Sequence, residues 1–326
     1  MRRAFLPSFA LLALALALLA APALATGTVV TFDNSVNTGG WTYGPPSTFP
    51  SAGGNPNWWL SSAPDTFAPQ LRTTSAHSPF VGNWRTNKVV SVGVDLRTIA
   101  TQFNFERPLS LVLSGGGCQI YFVGAGLVPQ PAEGWKKFDF AVPSQSLTMP
   151  AGWAVLNGCG DPDSAWNTVM TNVTEVNFFY GDPTFFFIFD IWNVGADNVR
   201  IFSDPFTDLG NGLAGTNGTP TLTGTGTLAP LSPVGLQLAS AKPSSTTTLI
   251  IGLSALNAPF KGGVLVPNPD VVIFALPTSP AGTLNLSATW PNGIPAAFSF
   301  YFQHWIVDAA GPVGFAASNA LQGTTP

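Results

Sequence analysis

"KVVSVGVDL", residues 88 to 96, alternates strictly: Val90, Val92, Val94 and Leu96 fall on one face of an extended chain, with small or polar residues between them. A period of two is the mark of a half-buried β-strand, not a helix. The same pattern returns in "PLSLVLS" with Leu109, Leu111 and Leu113, and in "KKFDFAV" with Phe138, Phe140 and Val142. Between such runs lie clusters of Gly, Pro, Asn and Ser. With 34 Gly and 30 Pro in 326 residues, turn signals recur at the short spacing expected of β-sandwiches. One segment argues for a helix. In "DPDSAWNTVMTNV" Asp161 can cap, Pro162 suits the first helical position, and Trp166, Val169, Met170 and Val173 recur at i, i+3, i+4 and i+7.

The first 25 residues combine Arg2 and Arg3, an apolar stretch and an Ala23-x-Ala25 ending, which predicts a secretory signal peptide over residues 1–25. Without it, the chain keeps 10 Lys and Arg against 16 Asp and Glu, and no basic patch is present to neutralise phosphates, so nucleic acid is not an expected partner. No later stretch is long enough and free enough of charge to predict a membrane span, because Asp190 interrupts "FFFIFDIW". Cys118 and Cys159 are the only cysteines, and an even pair in an exported chain predicts a disulfide.

Apolar periodicity stops after "DNVRIFSDPF". Residues 205–219, largely "DLGNGLAGTNGT", look like a Gly-rich linker. The predicted organisation is therefore a first β-sandwich over 26–204, a linker, and a smaller immunoglobulin-like sandwich over 220–326. Gly210-x-Gly212-x-x-Gly215 matches a dinucleotide fingerprint, but "TNGTP" follows where a helix would have to begin, so the match carries no weight.

Catalytic constellations are sparse. The two histidines, His77 and His304, fall in different predicted units, and neither a Gly-x-Ser-x-Gly elbow nor a His-x-x-x-His pair occurs. Glu106, Glu133 and Glu175 are scattered singly, which leaves a secreted glycoside hydrolase only as a remote alternative. Aromatic residues are the better lead. In "NWWL", Trp58 and Trp59 are adjacent, so in an extended chain they point to opposite faces and one is expected at the surface. An exposed flat ring beside amides is what packs on the apolar face of a sugar, and Asn57, Asn83 and Trp84 (with Asn55) lie in the same half of the predicted unit. Trp41, Trp135 and Trp192 are assigned to packing.

From "VTFDNSVNTGGW" through "SPFVGNWRTNKVVSVGVDLRT", "GWKKFDF" and "WNTVMTNVTEVNFFYG" to "GADNVRI", the chain resembles the laminin B (laminin IV type A) domain and is similar to jelly-roll carbohydrate-binding modules. It departs from laminin B after "VGN", where "WRTNKVV" replaces the usual aromatic-glycine signature. The tail, with "GLSALNAPFKGGVLVPNPD" and "FSFYFQHWIVD", resembles a C-terminal module recurring in secreted proteins of some environmental bacteria. The resemblance implies a jelly roll and a non-enzymatic protein that binds extracellular polysaccharide or matrix material; the alternative is a purely structural surface component. In "GADNVRI" the extended phase puts Asp197 inward with Val199 and Ile201. Asp33 ends the first predicted strand. No cofactor is required, but carbohydrate modules of this kind often carry a structural calcium here, for which Asp33 and Asp197 are the candidate ligands; the alternative is that Asp197 accepts backbone N–H bonds in a turn.

Overall fold

The alternation that opens at residue 88 is realised in one 13-residue strand, Val89–Thr101, around which the first unit is built. A computed structural model describes residues 27–64, 66–74, 78–103, 106–185 and 190–326. The expected signal peptide and His77 lie outside the described residues.

In chain order the first unit contains β1 (Gly27–Val30), β2 (Leu60–Ser61), β3 (Thr66–Phe67), β4 (Gln70–Thr73), β5 (Val89–Thr101), β6 (Pro108–Gly115), β7 (Cys118–Leu127), β8 (Lys136–Ala141), β9 (Trp153–Asn157), α1 (Pro162–Thr171), β10 (Glu175–Tyr180) and β11 (Ile191–Ser203). These strands form two antiparallel sheets. One has the order β1-β11-β5-β8, with β2 and β3 also on β11; the other has the order β4-β10-β6-β7-β9. Their inner faces share one core. Val92, Val94, Leu96, Phe138, Phe140, Val194, Ala196 and Val199 enter it from the first sheet, and Leu71, Leu109, Leu111, Leu113, Ile120 and Phe178 from the second.

The predicted inward faces of β6 and β8 are the observed ones. On β5 the phase changes at its start. Val89, 1% exposed, takes the core position expected of Val90, because a register shift pairs Ser203 with Val89 and Phe202 with Ser91, leaving Val90 in the bulge. The helix forms as its signals predict. Asp161 accepts a bond from the Ser164 N–H at 2.8 Å, and Ala165, Trp166, Val169 and Met170 are buried. Trp41 and Trp192 are core residues, 1% exposed each. Asp190, which interrupts the apolar run, is itself buried; it lies 3.7 Å from Arg107 and accepts from Thr101 Oγ1 at 3.1 Å, so the carboxylate is not left unpaired in the interior. The Cys118–Cys159 disulfide is formed, with 5.3 Å between Cα atoms, tying the start of β7 to the chain beyond β9.

The second unit contains β12 (Phe206–Gly210), β13 (Thr221–Gly226), β14 (Pro233–Ala239), β15 (Thr246–Gly252), β16 (Ala255–Phe260), β17 (Gly263–Pro267), β18 (Val271–Pro277), β19 (Leu284–Thr289), β20 (Ser299–Val307), β21 (Phe315–Ala317) and β22 (Ala320–Thr324). The larger sheet runs β12-β22-β20-β15-β18, with β21 on β20. A three-stranded sheet, β13-β14-β19, faces it, and β16 and β17 form a hairpin. Its buried clusters contain no residue before Phe206, and the first core contains none after Ile201, so the apolar cores divide between those two positions.

That division corrects the linker expectation. Residues 206–210 are a strand paired with β22, Leu213 exchanges backbone bonds with Ala317, and Thr216 donates to Asp308 from both its N–H and its hydroxyl at 2.7 Å. The sequence misled because Gly and Asn dominate the stretch, while its partners lie some hundred residues away at the C-terminus. Paired backbone opens only with the sheet that holds it. Limited proteolysis of the folded protein should therefore spare 206–219 in its first cuts; early nicking there would show that β12 is not held in the sheet.

Candidate functional site

β11 carries an irregularity at the stretch "ADNVR". Asp197 pairs with Asp95 and Arg200 with Gly93, so three steps on β11 match two on β5, and Asn198 sits in the extra position with φ of +47°. Asn is one of the few side chains that tolerate this left-handed region readily. Such a bulge flips the phase of everything beyond it. Trp192, Val194 and Ala196 point into the core before it, and Val199 and Ile201 after it. Asp197 is therefore not in phase with Val199 and Ile201, which corrects the inward orientation expected for it. It lies on the outer face of the sheet with Gly195 and Arg200.

Asp197 is nevertheless 0% exposed, because residues 51–58 fold across that outer face and cover it. The covering loop is held by polar contacts. The Asn55 N–H donates to Asp197 Oδ2 at 2.7 Å, Asn55 Nδ2 to Asp95 Oδ2 at 3.0 Å, and Asn198 Nδ2 to both Asp95 Oδ2, at 3.0 Å, and the Asn55 carbonyl. Asp197 Oδ1 accepts from the Asn198 N–H at 2.7 Å. Below this group, Arg200 donates to Asp95 Oδ1 at 2.7 Å and to Asp139 Oδ1 at 2.6 Å, reaching from β11 across β5 to β8. It crosses at Gly93, where a Cβ would stand 2.3 Å from Asp139 Oδ1 and 2.8 Å from Arg200 Nε; only glycine leaves that path open.

Beside the strap, Trp59 lies over Gly195, where an added Cβ would fall 2.4 Å from its ring, and meets Trp135 edge-on with 5.9 Å between centroids. Carbonyls of the same loop fix both indoles: Ala52 accepts from Trp59 Nε1 at 3.0 Å and Gly53 from Trp135 Nε1 at 2.9 Å. The Gly53 carbonyl also accepts from Arg97 Nη1 at 3.2 Å. Arg97 is paired with Gly195 across the strands, beneath the two rings. Among the described residues it makes no ion pair, and its buried Nε has no partner.

Of the adjacent tryptophans, Trp59 is buried at 7% exposed, while Trp58 is only partly covered. Asn57 is exposed on the same loop. Asn83 and Trp84 are not brought to this place. They lie on the turn before β5, where the Trp84 N–H bonds Met170 at the end of α1, and roughly 26 Å of strand separates Val89 from Arg97. Trp84 is 0% exposed, with its Nε1 on the Phe80 carbonyl, so its ring offers no face to a ligand. Asn83 is exposed, but its side-chain oxygen is engaged by the Thr86 N–H.

Trp135, expected to be a packing residue, instead stands partly exposed here against Trp59, and Arg97 joins it through the Gly53 carbonyl. The alternation of "WKKFDF" held the signal: if Phe138 and Phe140 face inward, Trp135 shares the outward phase of Lys137 and Asp139. Asp33 is exposed, bonded to Thr31 Oγ1 at 2.8 Å, and near enough to act on Asp197 electrostatically. Both Asp197 oxygens already hold backbone N–H groups, the turn arrangement weighed against calcium, and among the described residues no three His, Cys, Asp or Glu side chains converge on one point. His304 is buried with Nδ1 3.0 Å from Thr247 Oγ1, and burial pushes it down to about 4.

No known family model matches the chain, and no curated protein matches it. Among solved structures, it is similar to one described under cell entry of botulinum neurotoxin type C through interaction with two ganglioside molecules, with 8% identity, a TM-score of 0.27, and coverage of 91% of this chain and 93% of that one. It is also similar to Bacteroides uniformis beta-glucuronidase 2 carrying a cyclophellitol-6-carboxylate aziridine, with 10% identity, a TM-score of 0.17, and coverage of 91% and 32%. At such scores neither likeness bears on this chain's fold or chemistry.

Loss of water raises the Asp197 carboxyl to about 7; the N–H bonds from Asn55 and Asn198 pull it down, and the Asp95 and Asp33 carboxylates push it up. A folded-state value above the ordinary 3.8 means that the folded chain binds the proton more tightly than the unfolded one. Stability should then fall as pH rises between those two values, by at most about 1.4 kcal/mol per pH unit from this one group. Chemical denaturation across that window should show the slope, and Asp197→Asn should flatten it; an unchanged slope would show that the group titrates elsewhere.

The tryptophan pair makes a second test. Trp59→Ala should cost about 3–5 kcal/mol as a cavity over Gly195, and Trp58→Ala less than about 1 kcal/mol. Equal losses in denaturant titrations would mean that both rings are packed.

Proposed function

We propose that the first sandwich binds extracellular glycan on the outer face of its β1-β11-β5-β8 sheet, around Trp58, Asn57, Trp135 and Arg97. The observation that carries the reading is the placing of two partly covered indoles on and beside one polar loop, next to a guanidinium with no carboxylate partner among the described residues. Indole faces pack on the apolar side of a pyranose, while amide and guanidinium groups take its hydroxyls or an acidic substituent. The Gly53 carbonyl holds the Trp135 indole and Arg97 in place, so little ordering cost falls on those two groups. The role is binding without turnover: His304, in the second unit, is buried and held by Thr247. Export accords with the disulfide, which persists in oxidising compartments. Among the described residues no helix is long and apolar enough to cross a membrane.

A glycan array probed with the full chain should give saturable hits, which Trp58→Ala, Trp135→Ala and Arg97→Ala each weaken about tenfold or more while the protein still melts cooperatively. A purely structural role is the second reading, favoured by edge strand β18, which leaves Val271, Ile273 and Phe274 exposed, Phe274 at 72%. An array without saturable hits, together with concentration-dependent assembly abolished by Phe274→Lys, would replace the first reading by the second.

A further inference from the structure

Four asparagines in the chain are followed by glycine: Asn157, Asn211, Asn217 and Asn292. In such a pair the glycine nitrogen has no side chain beside it to block its approach to the asparagine Cγ. When it attacks, the N–Cγ bond forms and the Cγ–Nδ2 bond breaks. The glycine amide proton passes to solvent base, Nδ2 takes a proton from water and leaves as ammonia, and a cyclic imide remains. Water then opens the imide at either carbonyl to give aspartate or isoaspartate. The step needs only water, so what sets its rate in a folded chain is whether the reacting atoms are already neighbours and free to close.

The four pairs differ in just this respect. At Asn292 the Gly293 N–H donates to Oδ1 of the same side chain at 2.9 Å, which holds the attacking nitrogen beside the carbonyl it must reach. Both residues are exposed on the turn between β19 and β20, neither bonds another main-chain group among the described residues, and Gly293 has open space where a Cβ would stand. Asn217 is held differently: its Nδ2 donates to the Ala241 carbonyl at 3.1 Å, and the Gly218 N–H to the Gly215 carbonyl at 3.2 Å. Asn211 has its Nδ2 on the Leu209 carbonyl at 2.9 Å, and Gly212 is packed against Thr219. Asn157 ends β9 in register with Gln119, and Gly158 lies against the Gly117 carbonyl, next to the Cys118–Cys159 disulfide.

We infer that Asn292 is a site of spontaneous modification, converting to aspartate and isoaspartate in the folded protein while the fold holds the other three pairs back. The turn is anchored at both ends: the Trp290 N–H donates to the Ser232 carbonyl at 2.8 Å, and Ile294 packs on the cluster that holds Leu249, Trp290 and Phe302. Isoaspartate adds a main-chain carbon between these anchors as well as a negative charge, so the second sandwich loosens as the protein ages. No residue of the glycan face takes part.

The test incubates the full-length protein in mildly alkaline buffer, digests it at acidic pH and follows the amide-to-acid mass gain at each pair by mass spectrometry. Asn292 should convert about tenfold or more faster than Asn157, Asn211 and Asn217, with its product split between two chromatographic forms of equal mass. In concentrated urea the four rates should converge, because each pair then samples the same open backbone. Asn292→Ala should remove the fast phase of ammonia release from the folded protein, and Asn217→Ala should leave it unchanged. Absence of conversion at Asn292 in the folded protein, or conversion no faster there than at the other pairs, overturns the site. An unchanged spread of rates in urea overturns the role assigned to the fold.

Discussion

Arg200 ties together three neighbouring strands. From β11 it spans β5 above Gly93 and ends on Asp139 of β8, with Asp95 accepting on the way and the Phe138 carbonyl taking Nη2 at 2.8 Å. A buried guanidinium is costly unless its donors are met, and here four bonds, counting that to the Asn198 carbonyl, engage four of its five N–H groups. Adjacent strands already share backbone ladders; what this clamp adds is a charge arrangement that can close only if the β11 bulge puts Asp197 and Arg200 on one face. Without the extra residue, Arg200 would turn to the core and a valine or isoleucine would turn to the surface.

The strap inherits its place from that clamp. With Asp95 Oδ1 held by Arg200, Oδ2 remains for the side-chain amides of Asn55 and Asn198, and Asp197 takes the backbone of Asn55. A surface loop so anchored buries two carboxylates that water would otherwise solvate. It also carries Trp58 and Trp59 to the sheet and offers the Ala52 and Gly53 carbonyls that hold Trp59, Trp135 and Arg97. Aromatic rings thus face outward from a β-sandwich without strain in the core, because the core has Trp41, Trp84, Trp166 and Trp192 of its own.

The two sandwiches solve the same packing problem unequally. The first fills its interior with large rings drawn from both sheets and caps it with α1. The second opposes its larger sheet with only three strands and divides its buried apolar residues among smaller clusters. They meet at a short turn: Asp204 donates its N–H to the Lys88 carbonyl, and its Oδ1 accepts from the N–H of Phe206, the first residue of β12.

Alternation made the strand faces of β6 and β8 legible, and capping chemistry made α1 legible, because both are local: a period of two or a Ser164 N–H waiting for Asp161 depends on neighbours a few residues away. The cysteine pair was legible from its even count together with the expectation of export. Three things were decided only by tertiary structure. Val90 and Asp197 changed faces because bulges, which depend on the partner strand's register, reset the phase that a single chain displays. Residues 206–210 became a strand because their partner, β22, lies at the far end of the sequence. The candidate site itself joins residues 53–59, 97 and 135, which share no motif. They converge because strand order puts β8 beside β5 and because one loop finds its hydrogen-bond partners on the outer face of that sheet.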